Sequence, residues 1–83
     1  MHACGHDAHT ASLLLAAKIL SKHRDEFKGT VKLCFQQAEE IGYGAMKFIK
    51  AGLVTGDRSF GIHLAYNIPV SKVSAQKAPI MLL

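Results

Sequence analysis

Hydrophobic positions along the chain change their spacing in a regular order, and each spacing predicts one kind of element. Between residues 8 and 22, apolar side chains recur at helical spacing, and further leucine and alanine residues widen the apolar face until little polar surface remains. We therefore predict a first helix that other elements cover on most sides. A second helix is predicted over residues 44–51, where apolar residues share one stripe and Gly52 follows as a stop signal.

Three other stretches of the chain predict β-strands. In residues 30–35 apolar and polar side chains alternate and β-branched residues are present, which is typical of a strand. Residues 58–66 form a second extended run, which Pro69 interrupts, and residues 70–77 form a weaker third run with polar alternation. The predicted order is α, β, α, β, β, which favours an α/β fold with helices on the faces of a sheet. Because a parallel sheet needs cover on both faces, these few elements indicate an internal part of a larger domain.

Composition and charge exclude several classes of protein. Apolar residues make up 49% of the chain and charged residues 19%, which is typical of a packed interior and not of a disordered segment. The net charge is +4, but the ten Lys and Arg residues are spread out and no nucleic-acid motif accompanies them. No apolar run approaches the ~20 residues of a membrane span, and no secretory signal is present. With only two cysteines, we predict a cytoplasmic protein that binds neither nucleic acid nor membrane.

Residue types that bind metals gather at the start of the chain. Within nine positions the sequence places His2, Cys4, His6, Asp7 and His9. Thiolate, imidazole and carboxylate groups are the ligands of zinc in proteins, and a spacing of two residues in a loop lets Cys4 and His6 converge on one ion. The alternative is that both are ordinary loop residues.

Two later places in the chain carry the same chemistry. Glu39 and Glu40 follow the first predicted strand, where α/β folds place their binding crevice, and two adjacent carboxylates favour a cation. His63 lies near the end of the next predicted strand. The alternatives are that the glutamates are solvated near the positive end of a helix dipole and that His63 is a hydrogen-bonded structural residue. Cys34 lies between apolar neighbours and is predicted to be buried core.

Three segments of the sequence resemble consecutive signatures of one enzyme family. The segments "MHACGHDAHT", "FQQAEEIGYGAMKFIKAGL" and "FGIHLAYNIP" are similar to motifs of the zinc-dependent amidohydrolases. That family includes hippurate hydrolases, N-acyl-amino-acid amidohydrolases and indole-acetyl-amino-acid hydrolases, within the aminoacylase and carboxypeptidase superfamily. The resemblance covers essentially all 83 residues. It implies hydrolysis of the amide bond of N-acyl amino acids or similar small amides.

The resemblance also implies a role for each candidate residue. Two divalent ions, zinc or manganese with cobalt or nickel also compatible, would be bound by Cys4, His6, Glu40 and His63. Glu39 would act as general acid and base, and Asp7 and His9 would orient the ligands.

For the domain, the resemblance implies a three-layer sheet-and-helix catalytic unit, of which this chain is one section. Residues 1–83 would be an internal fragment of the metal-binding catalytic domain, without the inserted dimerisation domain and the C-terminal part. The parent enzyme is then expected to be a homo-oligomer. Two other hypotheses stay open: a standalone metal-binding or interaction module without turnover, and a non-functional gene remnant.

Four positions depart from the pattern of that family. Gln37 stands where proline is usual and Ile41 where glycine is common, while Ser71 and Ala78 occupy places where glycine is expected. Proline would fix φ and remove a backbone N–H, so its loss loosens the turn that carries the glutamates. Ile41 would be strained if its position requires a positive φ.

Overall fold

A computed structural model describes residues 3–75 of the chain. Helix α1 spans His6–Lys22, a single 3-10 turn spans Arg24–Glu26, and helix α2 spans Tyr43–Lys50. Both predicted helices are confirmed. Helix α1 begins two residues earlier than the sequence pattern indicated, and α2 begins one residue earlier. Within the described residues, neither helix has the length and apolar character needed to cross a bilayer.

The start of α1 depends on a left-handed glycine. Gly5 precedes the helix with a φ of 74°, a conformation that glycine adopts without the steric penalty of a Cβ atom. Asp7 lies in the first turn and Lys22 in the last, and both charges interact favourably with the helix dipole. The helix therefore begins two residues after Cys4 and carries His6 as its first residue.

Helix α2 ends in a Schellman motif, as the predicted stop at Gly52 requires. Gly52 has a φ of 69° and donates its N–H to the carbonyl of Ile49 at 3.0 Å. The N–H of Leu53 reaches back to the carbonyl of Phe48, also at 3.0 Å. These two bonds satisfy carbonyl groups at the helix end that would otherwise lack a partner.

The predicted strands are not found as strands within residues 3–75. Residues 30–35 and 58–66 follow an irregular path without ladder hydrogen bonds, and the predicted run from residue 70 begins with a turn in which Lys72 donates to the carbonyl of Pro69 at 3.1 Å. Residues 76 and 77 of that run lie outside the described residues. A strand forms its hydrogen bonds with the backbone of a neighbouring strand. Among the described residues, no two segments pair in this way. The α/β prediction is therefore not confirmed by this structure.

Positive φ angles fall on only some of the positions expected to favour glycine. Ser71 has a φ of 67°, which agrees with the expectation of glycine there. Ile41 is not among the described non-glycine residues with a positive φ, so the strain predicted for it does not arise. Ala38, which no pattern singled out, has a φ of 53°. Ala78 lies outside the described residues.

The described residues form no buried hydrophobic core. Leu14, Leu15 and Ile19 of α1 are more than half exposed, so residues 3–75 do not supply the predicted cover of this helix. Cys34 is exposed, so the prediction that it is buried core is wrong for this structure. The accessible surface is 8205 Å², whereas a compact monomer of 9.0 kDa exposes about 4,900 Å². The radius of gyration is 14.5 Å, compared with about 12 Å for a compact chain of 83 residues.

We expect the isolated 83-residue chain to self-associate in solution, because large exposed apolar patches favour association. Size-exclusion chromatography with light scattering should give a mass well above 9.0 kDa. A variant with Leu15→Lys and Ile19→Lys should associate less, since both side chains are more than half exposed on α1. If the unsubstituted chain were a compact monomer with a cooperative thermal transition, this expectation would be contradicted.

Candidate metal centre

Cys4, His6 and His63 converge on one point in the structure. Each offers a ligand atom, and the three atoms lie within 4.8 Å of one another. The Sγ atom of Cys4 lies 3.4 Å from Nε2 of His63, although 59 positions separate these residues in sequence. Cys4 and His6 are half-buried and His63 is exposed. The structure therefore brings together three of the four predicted metal ligands.

Gly5 allows the segment with His63 to approach the start of α1. A Cβ atom at this position would overlap the Leu64 side chain. Because glycine has no Cβ, the side chain of Leu64, the residue after His63, can lie against the beginning of the helix. The left-handed turn at Gly5 thus both precedes α1 and leaves room for the residue that follows His63.

His63 is oriented as metal-binding histidines usually are. Its Nδ1 lies 2.7 Å from the carbonyl oxygen of Leu64, which assigns the Nδ1–H as the donor of a hydrogen bond. The other ring nitrogen, Nε2, then has a free lone pair and faces Cys4. Histidines that bind metals typically donate their second N–H to a carbonyl or carboxylate, which fixes the tautomer and the ring.

The second histidine of the cluster has a nitrogen without a hydrogen-bond partner. Nε2 of His6 is buried from solvent, and within the described residues nothing forms a hydrogen bond with it. It lies 3.4 Å from Oε2 of Glu39, while Nδ1 of His6 lies 4.0 Å from Oε1 of Glu40. A buried polar atom without a partner is unfavourable, and a bound cation would remove this deficit. The donor set of thiolate, imidazole and carboxylate fits zinc and similar divalent metals.

Among residues 3–75, both glutamates approach the cluster through His6. Their side chains are 55% and 69% exposed, and Glu40 lies outside the group of three converging ligand atoms. Glu39, predicted as the acid and base, is the closer of the two to His6. The structure thus places both carboxylates beside the cluster without separating their roles.

The two residues predicted to orient the ligands differ in what they contact. Nε2 of His9 accepts a hydrogen bond from the N–H of Leu64 at 3.3 Å, and its ring centre lies 4.9 Å from that of His63. Asp7 is exposed, and among the described residues it makes no hydrogen bond or ion pair with the cluster. His9 therefore holds the segment that carries His63, whereas the structure gives Asp7 no contact of this kind.

The sequence did not predict that the backbone of Leu64 would contribute to the site. Its N–H binds His9 and its carbonyl accepts from His63, so its backbone connects two histidines of the site. A backbone group carries no side-chain signal in the sequence, and no pattern could have identified it.

Comparison with known proteins places the chain in a family. Residues 1–77 match the model of the family described as Peptidase family M20/M25/M40. The chain belongs to this family. The resemblance seen in three sequence motifs is thereby confirmed, and the converging cysteine and histidines lie inside the matched range of the M20 family.

Relatives of the chain within the M20 family are hydrolases by name. It is 48% identical over 82 residues to IAA-amino acid hydrolase ILR1-like 4 of Arabidopsis thaliana and 46% identical over 82 residues to N-acetylcysteine deacetylase of Bacillus subtilis. It is 43% identical over 83 residues to N-acyl-L-amino acid amidohydrolase of Geobacillus stearothermophilus. Each match covers 98% of this chain but only 19% to 22% of the relative. The chain thus spans about a fifth of the length of these relatives. No solved structure matches it significantly.

Proposed function

We propose that the chain carries the metal-binding centre and the catalytic carboxylate of an M20 amidohydrolase. The observation that carries this proposal is the convergence of Cys4, His6 and His63 from segments far apart in sequence. The names of the relatives support N-acyl amino acids or similar small amides as the substrate class. A standalone module without turnover and a gene remnant are less favoured, because the relatives are hydrolases.

Four residues would hold the metal in this proposal. Two divalent cations, zinc or manganese, would be bound by Cys4, His6, Glu40 and His63. When bound, such cations polarise a scissile carbonyl and lower the pKa of a metal-bound water toward neutral pH. Two observations support the histidine assignments: Nε2 of His63 is unprotonated and faces Cys4, and Nε2 of His6 is buried without a hydrogen-bond partner among the described residues.

Glu39 would perform the proton transfer. Its carboxylate lies 3.4 Å from His6 and is about half exposed, so water and substrate can reach it beside the cluster. As general base it would take a proton from the attacking water, and as general acid it would deliver this proton to the leaving nitrogen. The same carboxylate thus serves both halves of the reaction.

We further propose that the 83 residues form one section of a larger α/β catalytic domain. In that setting, residues 30–35 and 58–66 would become strands, because neighbouring strands would supply their missing hydrogen-bond partners. The exposed apolar face of α1 supports this proposal, since a sheet would cover it. The homo-oligomeric assembly and the cytoplasmic location stay predictions.

A chimeric enzyme tests the proposed function. The segment of the Bacillus subtilis N-acetylcysteine deacetylase that matches this chain, at 46% identity, is replaced by residues 1–83. We expect the chimera to hydrolyse N-acetylcysteine when supplied with Zn²⁺ or Mn²⁺, because all the proposed catalytic groups of this section are present. Release of the free amino acid is measured directly.

The matched control is the same chimera with Cys4→Ala and His6→Ala, which should be inactive at equal metal concentration. Circular dichroism and size-exclusion chromatography establish that both chimeras are folded alike. A folded chimera without activity, or one whose activity survives the double substitution, would contradict the proposed function.

A further inference from the structure

A tight backbone turn carries both glutamates of the proposed site. It leaves the preceding segment at Ala38, which has a φ of 53°, and enters α2 through Gly42, which has a φ of 68°. Between them, the N–H of Gly42 donates to the carbonyl of Glu39 at 2.9 Å. Two left-handed residues thus reverse the chain within five positions, with the carboxylates of Glu39 and Glu40 between them.

The turn is closed by a contact between backbones. Gly44, in the first turn of α2, is buried, and a Cβ atom placed on it would overlap the carbonyl oxygen of Gln37. The same Cβ would lie 2.9 Å from the carbonyl carbon of Gln37 and 2.8 Å from Cγ of Gln36. Alanine favours a helix more than glycine does, so the helix alone does not account for glycine here. The close approach of Gln37 does.

This contact governs where the carboxylates lie. The side chains of Glu39 and Glu40 are 55% and 69% exposed, and their described partner is His6. Few side-chain contacts therefore hold them, and their positions follow the backbone of the turn. A methyl group on Gly44 would require either Gln37 or α2 to shift, and the glutamates between them would shift as well.

We propose that Gly44 is a positioning residue of the site, which sets Glu39 and Glu40 against His6 through its contact with the Gln37 backbone. This inference rests on the proposed function, because it takes Glu40 as a metal ligand. Gly44 would touch neither metal nor substrate. It acts by allowing the turn to close.

The test measures Zn²⁺ affinity of the full 83-residue chain by competition with a chromophoric chelator. Gly44→Ala should weaken binding by about 10- to 100-fold, the range typical for residues that orient ligands. Gly61→Ala is the matched control, because a Cβ at Gly61 meets no atom within 4 Å and its φ is not positive. This control should bind Zn²⁺ like the parent.

A double-substitution cycle separates positioning from a general loss of structure. In a Glu40→Gln background, Gly44→Ala should weaken Zn²⁺ binding little further, because the ligand through which it acts is already gone. Ala38→Val should reproduce the effect from the other side of the turn without altering α2, since a β-branched residue disfavours a positive φ. If Gly44→Ala does not fold, the Zn²⁺ affinity of Ala38→Val tests the inference in its place.

Three results would overturn the inference. Parent-like Zn²⁺ binding by both Gly44→Ala and Ala38→Val would contradict it while leaving the proposed function intact. An equal loss of affinity with and without Glu40→Gln would assign Gly44 a purely structural role. Absence of Zn²⁺ binding by the parent chain would contradict the proposed function and, with it, this inference.

Discussion

Replacing Glu39 with glutamine should lower hydrolysis by the chimeric enzyme about 10²- to 10⁴-fold, the range typical for loss of a general acid and base. Glutamine keeps the shape of the side chain, but its amide cannot accept the proton of the attacking water. The metal content should stay at the level of the unsubstituted chimera, because Glu39 is not among the proposed ligands. Initial rates and metal analysis of the purified protein measure the two quantities.

The neighbouring carboxylate provides the control for this prediction. Glu40→Gln should lower the metal content and should recover part of its activity at high metal concentration. Both variants are needed because both carboxylates lie near His6, and Glu39 is the closer, at 3.4 Å against 4.0 Å for Glu40. If Glu39→Gln instead lost metal and Glu40→Gln kept its metal but lost its activity, the two roles would be exchanged.

The helices could be predicted from the sequence because their causes are local. Apolar spacing and the glycine after the second helix placed α1 and α2 to within two residues at each end. A strand depends on a neighbour that the local pattern does not contain. Residues 30–35 alternate as a strand does, yet no described segment pairs with them. The same reason explains Cys34, whose apolar neighbours indicated burial although the described residues leave it exposed.

The candidate site could be predicted in its residue types but not in its supporting backbone. Cys4, His6 and His63 have side chains of types that bind metals and lie in recognisable motifs, and the structure brings them together. The contact between Gly44 and Gln37, and the left-handed Ala38, depend on the path of the backbone through the turn. That path follows from the packing of α2 against the preceding segment, which no spacing of residue types encodes.

The double substitution Cys4→Ala and His6→Ala should remove metal binding from the 83-residue chain. It takes away a thiolate and an imidazole, two of the three donors whose atoms lie within 4.8 Å of one another. The loss of affinity should exceed the roughly 10- to 100-fold that follows when only a ligand-orienting residue is lost. His63 would then remain without either of its neighbours in the cluster.

Calorimetric titration with Zn²⁺ tests the assembly of this site most directly. The control is Cys34→Ser, which removes the other thiol of the chain and should bind Zn²⁺ with the stoichiometry and affinity of the parent. We expect saturable binding by the unsubstituted chain and by Cys34→Ser, and no measurable binding by the Cys4→Ala and His6→Ala variant. Unchanged stoichiometry and affinity in that variant would contradict the claim that Cys4 and His6 hold the metal.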